Sequence, residues 1–203
     1  MSEKESLGQS IVQAIKFLGH VYEDIGTMVN NLDEAMEKKG WVPTHTNRVS
    51  DLLSNSLDPD QWLLPAVYRH YAPYSSGSAG KKVKKTSAMV AILVSLLPPK
   101  THDEAVCLLT AVRFPKPKAY SEIWDERDSG DDEPCGSDRL TEYLAGKDGA
   151  QPIPDELLQN DLFAGAEAGV AFLVPLCSLT DAQSLHNKIV APLLQEANKL
   201  LSA

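Results

Sequence analysis

Cysteine is scarce in this chain, and the three present, Cys107, Cys135 and Cys177, are far apart with no C-x-x-C among them. Such spacing supplies no zinc framework and no grounds for a disulfide scaffold. The five histidines are His20, His45, His70, His102 and His186, and no two stand four residues apart. H-E-x-x-H is therefore absent, and so is a serine nucleophile elbow. Gly80-Lys81 invites comparison with a phosphate-binding P-loop. The position five before that glycine is Ser75 and the residue after the lysine is Lys82, so the motif fails on both sides. No metal site and no cofactor are expected, and no catalytic residue is assigned.

Positive charge is also in short supply. Lys and Arg number 19 against 28 Asp and Glu, a net charge of -9. A phosphate backbone requires a basic footprint, so the balance argues against a generic nucleic-acid binder while leaving room for a local basic patch. The start, Met-Ser-Glu-Lys-Glu-Ser, has no basic segment leading into an apolar one, and no secretory signal is expected. The longest uncharged apolar run, Thr86 to Pro99, is too short to span a bilayer. These absences point to a cytoplasmic protein with no membrane partner, in a compartment that keeps thiols reduced.

What is present suits one domain over residues 1–203. Hydrophobic residues make up 43% and charged residues 23%, enough for a sizeable core. The clearest element is the first. Ile11, Leu18, Ile25 and Leu32 recur at seven-residue spacing, as do Ala14, Val21, Met28 and Ala35, and Ile15, Tyr22, Val29 and Met36. This predicts a helix over 9–39 with a wide apolar stripe. Ser10 is its expected N-cap, and Lys38, Lys39 and Gly40 its expected end. A helix of that length outreaches a small sheet, so pairing with a second copy through Ile11, Leu18, Ile25 and Leu32 is expected.

Trp62 to Tyr71 reads as a strand, placed at an edge by Pro65. Ser87 to Leu97 is apolar without alternation, as in a central strand buried on both faces. Glu104 to Phe114 follows as a hairpin partner across Pro98 to His102, and Glu167 to Cys177 is a further apolar strand. Residues 115–165 form an acidic, loop-rich insertion, with Ser137 to Leu144 and Pro154 to Leu162 as short helices. Thr180 to Gln183 is a capping-box pattern that opens a C-terminal helix over 180–202, kinked or divided by Pro192. The expected fold is α+β: an antiparallel sheet of about four strands, with the long N-terminal and C-terminal helices packed on one face.

One electrostatic constellation follows from the hairpin. Centring its turn on Lys100 sets Lys85 opposite Pro115, Lys84 opposite Lys116 and Lys82 opposite Lys118. Lys81, Lys82, Lys84, Lys85, Arg113, Lys116 and Lys118, seven of the 19 basic residues, then gather at one end of the sheet. Either the acidic stretch Glu122 to Glu133 folds back to neutralise them, or they hold a phosphate-bearing ligand or an acidic protein surface. That stretch lacks the alternating oxygen-ligand order of a calcium loop. Trp41 and Trp62 are expected to cap the core and Trp124 to anchor the insertion, and His45 and His70 are placed to meet in space.

Three readings result. The favoured one is a non-enzymatic binding or regulatory module, homodimeric, with the basic hairpin end taking an anionic ligand or partner. The second is an enzyme on a phosphorylated or nucleic-acid substrate, with carboxylates from Asp125, Asp128, Asp131 and Asp132. The third is a structural subunit whose helical stripe meets a different protein.

Overall fold

The computed structural model describes residues 3–44, 66–74, 85–96, 103–119, 136–158, 163 and 165–202. Helix α1 spans Glu3–Glu37, so it begins six residues before the expected start, holds Ser10 inside it rather than at its N-cap, and ends before Lys38. Gly40 ends it in the left-handed region at φ 79, its N–H donating to Glu37 O at 2.9 Å, because only glycine takes that conformation without steric cost. The chain then enters β1, Trp41–Pro43. Beyond it come β2 (Ala66–Pro73), β3 (Lys85–Ser95) and β4 (Val106–Ala119). Helix α2 (Gly136–Leu144), strand β5 (Gln151–Pro152), the single turn α3 (Asp155–Leu157) and strand β6 (Ala168–Pro175) follow. The C-terminal segment is α4 (Ala182–Leu185), a π turn (His186–Val190) and α5 (Ala191–Ser202).

The protein is α+β, with an antiparallel sheet and helices at both ends of the chain. Among the described residues six strands form that sheet in the order β1-β2-β3-β4-β6-β5, where the sequence suggested about four. The two additional strands have three and two residues, too few for a periodic signal. β1 also changes the place of β2. Trp41 pairs with Pro73 and Pro43 with Tyr71, so β2 lies inside the sheet rather than at its edge. Pro65 and Trp62, on which the edge assignment rested, lie outside the described residues.

Side chains alternate across the sheet, and both faces are covered. On one face, Val90, Ile92 and Val94 of β3, Cys107 and Leu109 of β4 and Phe172 and Val174 of β6 meet α1 and the C-terminal helices. On the other, Met89, Leu93, Leu108, Val112 and Phe114 meet Leu140 and Leu144 of α2, with Ile153, Leu157, Leu158 and Phe163. The stretch read as an insertion is thus revised. Residues 115–119 continue β4, and the described residues of 136–166 supply half of the buried cluster on this second face. Residues 120–135, with most of the acidic run, lie outside the described residues.

The C-terminal helix is capped one residue later than expected. Asp181 Oδ1 accepts from Ser184 N–H at 2.7 Å, and Ser184 Oγ accepts from Asp181 N–H at 3.0 Å, a capping box built on a carboxylate rather than on Thr180. The bond from the Ser184 N–H holds the Asp181 carboxyl below its ordinary range. Pro192 has no N–H and its ring crowds the carbonyl one turn back. The π turn at His186–Val190 takes up that conflict without breaking the helix.

Both covering layers are expected to unfold with the sheet. Leu109 and Leu140 are 0% and 1% exposed, one on each face. Leu109→Ala and Leu140→Ala should each lower the unfolding free energy by about 2–5 kcal/mol in urea titration. A loss below about 1 kcal/mol for Leu140→Ala, or a separate early transition, would show that 136–166 is not part of the core.

Candidate functional site

The regular part of the β3–β4 hairpin sets Ala88 opposite Arg113 and Val94 opposite Cys107. Between Thr86 and Ala88 the register shifts, and Thr86 then faces Lys118 and Lys85 faces Ala119. The cause is local. Pro115 and Pro117 cannot donate to the ladder, and the Thr86 hydroxyl takes over the bulge by accepting from Ala88 N–H at 3.2 Å and donating to Ala88 O. Pairing of Lys85 with Pro115 and of Lys118 with Lys82 is thereby corrected. Lys81, Lys82 and Lys84 lie outside the described residues.

The four basic residues in view are not equivalent. Lys85 and Lys116 are exposed. Lys118 is half-buried and lies over Gly165, where an added Cβ would come within 2.5 Å of its Nζ. Arg113 serves the fold. Its guanidinium donates to Leu200 O at 2.9 Å, and its Nε lies 2.7 Å from Glu167 Oε1, off the line of a hydrogen bond. It thus satisfies a carbonyl in the last turn of α5, where a cation is favoured.

The helical stripe divides into two parts. Ile25 and Leu32 are taken up by the chain's own core, with Val29 and Met36 beside them. Ile11, on the same stripe, is 53% exposed and Leu18 is half-buried. Around them Val12, Ile15 and Phe17 are 51%, 64% and 67% exposed. Residues 8–20 therefore stand clear of the sheet for about 20 Å at 1.5 Å per residue, with an apolar surface a monomer rarely presents.

What aims this free half is a buried polar contact that sequence inspection missed. Arg69 on β2 grips Asp33 on α1 with two parallel bonds, Nε to Oδ1 at 2.9 Å and a second from its terminal nitrogen to Oδ2. The Tyr71 hydroxyl donates to Asp33 Oδ1 at 2.8 Å. Burial by itself would lower the Arg69 pKa, but the Asp33 carboxylate outweighs it and the pKa is raised. Burial, followed by the Asp33 charge, pushes the Tyr71 phenol up. The only trace in the sequence is an arginine within an apolar strand, at a position that alternation assigns to the core.

The remaining candidates are dispersed. Cys107 is buried, and burial pushes its thiol up to about 12. Cys177 belongs to a 3-10 turn, Leu176–Ser178, rather than to a strand, and its bond to Glu104 Oε2 at 3.1 Å raises its pKa. His20 is exposed with Nδ1 3.3 Å from Glu23, and His70 stacks on Tyr68. His45, Trp62 and Trp124 lie outside the described residues, as do Asp125, Asp128, Asp131 and Asp132, while Trp41 is buried against the core. Among the described residues no three of His, Cys, Asp or Glu stand together to hold a metal, and no helix is long and apolar enough to cross a membrane. A groove of about 670 Å³ between the turn after α1 and the C-terminal helical segment brings Lys39, His186, Asn198 and Lys199 to its walls. Comparison with protein families, curated proteins and solved structures finds no match to this chain.

Asp33→Ala should cost about 3–5 kcal/mol in urea titration, because it leaves a buried guanidinium without its carboxylate. Asp33→Leu combined with Arg69→Met should recover most of that loss. A change within about 0.5 kcal/mol for Asp33→Ala would show that the contact does not anchor α1.

Proposed function

We propose that the protein is a non-enzymatic binding or regulatory module that works as a homodimer, assembled through the N-terminal half of α1. One observation carries this reading: Ile11, Val12, Ile15 and Phe17 are all more than half exposed on a helix whose other half is core. The stripe keeps its seven-residue spacing from the buried half into the free half, with Ile11, Ala14, Ile15 and Leu18 continuing Val21, Tyr22 and Ile25. Two copies of such a stripe are self-complementary about a two-fold axis, and each side chain removed from water adds about 1.5–3 kcal/mol. The anionic ligand or acidic partner falls to the hairpin end. Exposed Lys85 and Lys116 support that assignment, together with Lys81, Lys82 and Lys84 beside them in sequence. A cytoplasmic location is part of the same proposal.

Sedimentation equilibrium tests it. The chain should run as a dimer in the micromolar range, and Ile15→Asp with Phe17→Asp should give a folded monomer with an unchanged circular dichroism spectrum. A wild-type monomer at about 100 µM, a concentration at which a specific interface is populated, would overturn the dimer and turn attention to a different protein on the same stripe.

A further inference from the structure

Strand β6 bonds to β4 through its even-numbered residues and turns its odd-numbered ones outward. Two hydrogen bonds set that alternation. Leu176 N–H donates to Ala105 O on the β4 side, and Ile153 N–H donates to Gly169 O on the β5 side, both at 2.9 Å. Antiparallel strands keep such alternation along their length, so Ala171, Leu173 and Pro175 also face the outer edge. Gln151 of β5 pairs with Ala171. Farther along, β5 does not reach. The chain before it leaves the sheet at Gly149, which has φ 68, and Gln151 Nε2 closes that turn on Asp148 O at 2.8 Å. Pro175 has no N–H, and its carbonyl accepts from Ser178 Oγ at 2.7 Å. Leu173 is left to present both its N–H and its C=O outward, with no described strand opposite.

Beside this position lies a groove of about 470 Å³, lined by Ala150, Phe172, Val174, Pro192 and Gln195. Phe172 and Val174 belong to the face that packs on the C-terminal helices, so the groove runs between the strand edge and α5. Open edges are ordinarily blunted by proline, lysine or a covering segment. Here proline closes the end and two residues of β5 cover the start. The chemistry that fits what remains is specific. An extended backbone supplies an acceptor and a donor in the order that complements Leu173, and its neighbouring side chain falls on one face of the sheet, over the groove. A helix satisfies its own backbone groups and cannot use this edge.

We infer that the β6 edge at Leu173, with the groove against Pro192, is a binding site for a short extended peptide that places one apolar side chain beside the pairing residue. The site is separate from the free half of α1 and does not depend on dimerisation.

The test uses the full chain and a pool of fluorescent, capped pentapeptides, with threonine at odd positions and valine, leucine, isoleucine or phenylalanine at even ones. Fluorescence anisotropy should saturate for at least one peptide. Its binding should slow hydrogen exchange at the Leu173 amide, and N-methylation at the residue facing Leu173 should weaken it about tenfold through loss of one donor. Gln195 is exposed, so Gln195→Trp should fill the groove and abolish binding while the unfolding midpoint holds. Ile15→Asp with Phe17→Asp should leave binding intact, which separates this site from the dimer. No saturation by any peptide at about 1 mM, or equal affinity for the N-methylated peptide with Leu173 unprotected, would overturn the inference.

Discussion

Strands β3 and β4 each carry apolar side chains on both faces, Ala88 to Val94 in β3 and Val106 to Leu109 in β4, all of them buried. Each such side chain loses about 1.5–3 kcal/mol if returned to water, so neither face can be left open, and the rest of the architecture follows. The C-terminal half of α1, together with α5, closes one face. The other is closed by α2 with Ile153, Leu157, Leu158 and Phe163, in a part of the chain whose composition suggests a loop. α1 has 35 residues, and the sheet takes up only those from Val21 onward. Its apolar remainder is surplus to the core, which is the physical basis for assigning it to a partner.

Two polar contacts determine how the layers sit. The fork between Arg69 and Asp33, with Tyr71 on the same carboxylate, joins α1 to β2, one strand in from the β1 edge of the sheet. Buried ion pairs of this kind contribute more to a unique arrangement than to net stability, since desolvation offsets much of the attraction. Arg113 does the same at the far end by joining β4 to α5 through Leu200 O. A helix held at Asp33 in one rotation about its axis presents Ile11 and Ile15 in one direction. That fixed presentation distinguishes a docking stripe from a loosely attached apolar segment.

The parts of the fold legible in the sequence are those with long, regular patterns. The seven-residue spacing of α1 and the unbroken apolar run of β3 are of this kind, and so is the capped start of the C-terminal helix, displaced by one residue. Less of the rest could be read, for identifiable reasons. β1 and β5 are too short to show a period. Leu140 and Leu144 keep helical spacing on α2, but Ile153, Leu157 and Phe163 join them on the second face from separate segments, so no single period links the set. The basic hairpin end depended on register, and the bulge between Thr86 and Ala88, across from the stretch that holds Pro115 and Pro117, moved it. Asp33 and Arg69 are 36 residues apart, with nothing local to link them. The outward Leu173 exists only because β5 stops short.

The central claim is that the two halves of α1 have different roles, one as core and one as assembly surface. Amide hydrogen exchange along α1, followed at increasing protein concentration, tests it most directly. Residues 25–37 should be protected at every concentration, because their protection depends on folding alone. Residues 8–20 should exchange fast in dilute solution and become protected as concentration rises. Fast exchange of 8–20 at all concentrations, or protection of both halves even at high dilution, would contradict the account.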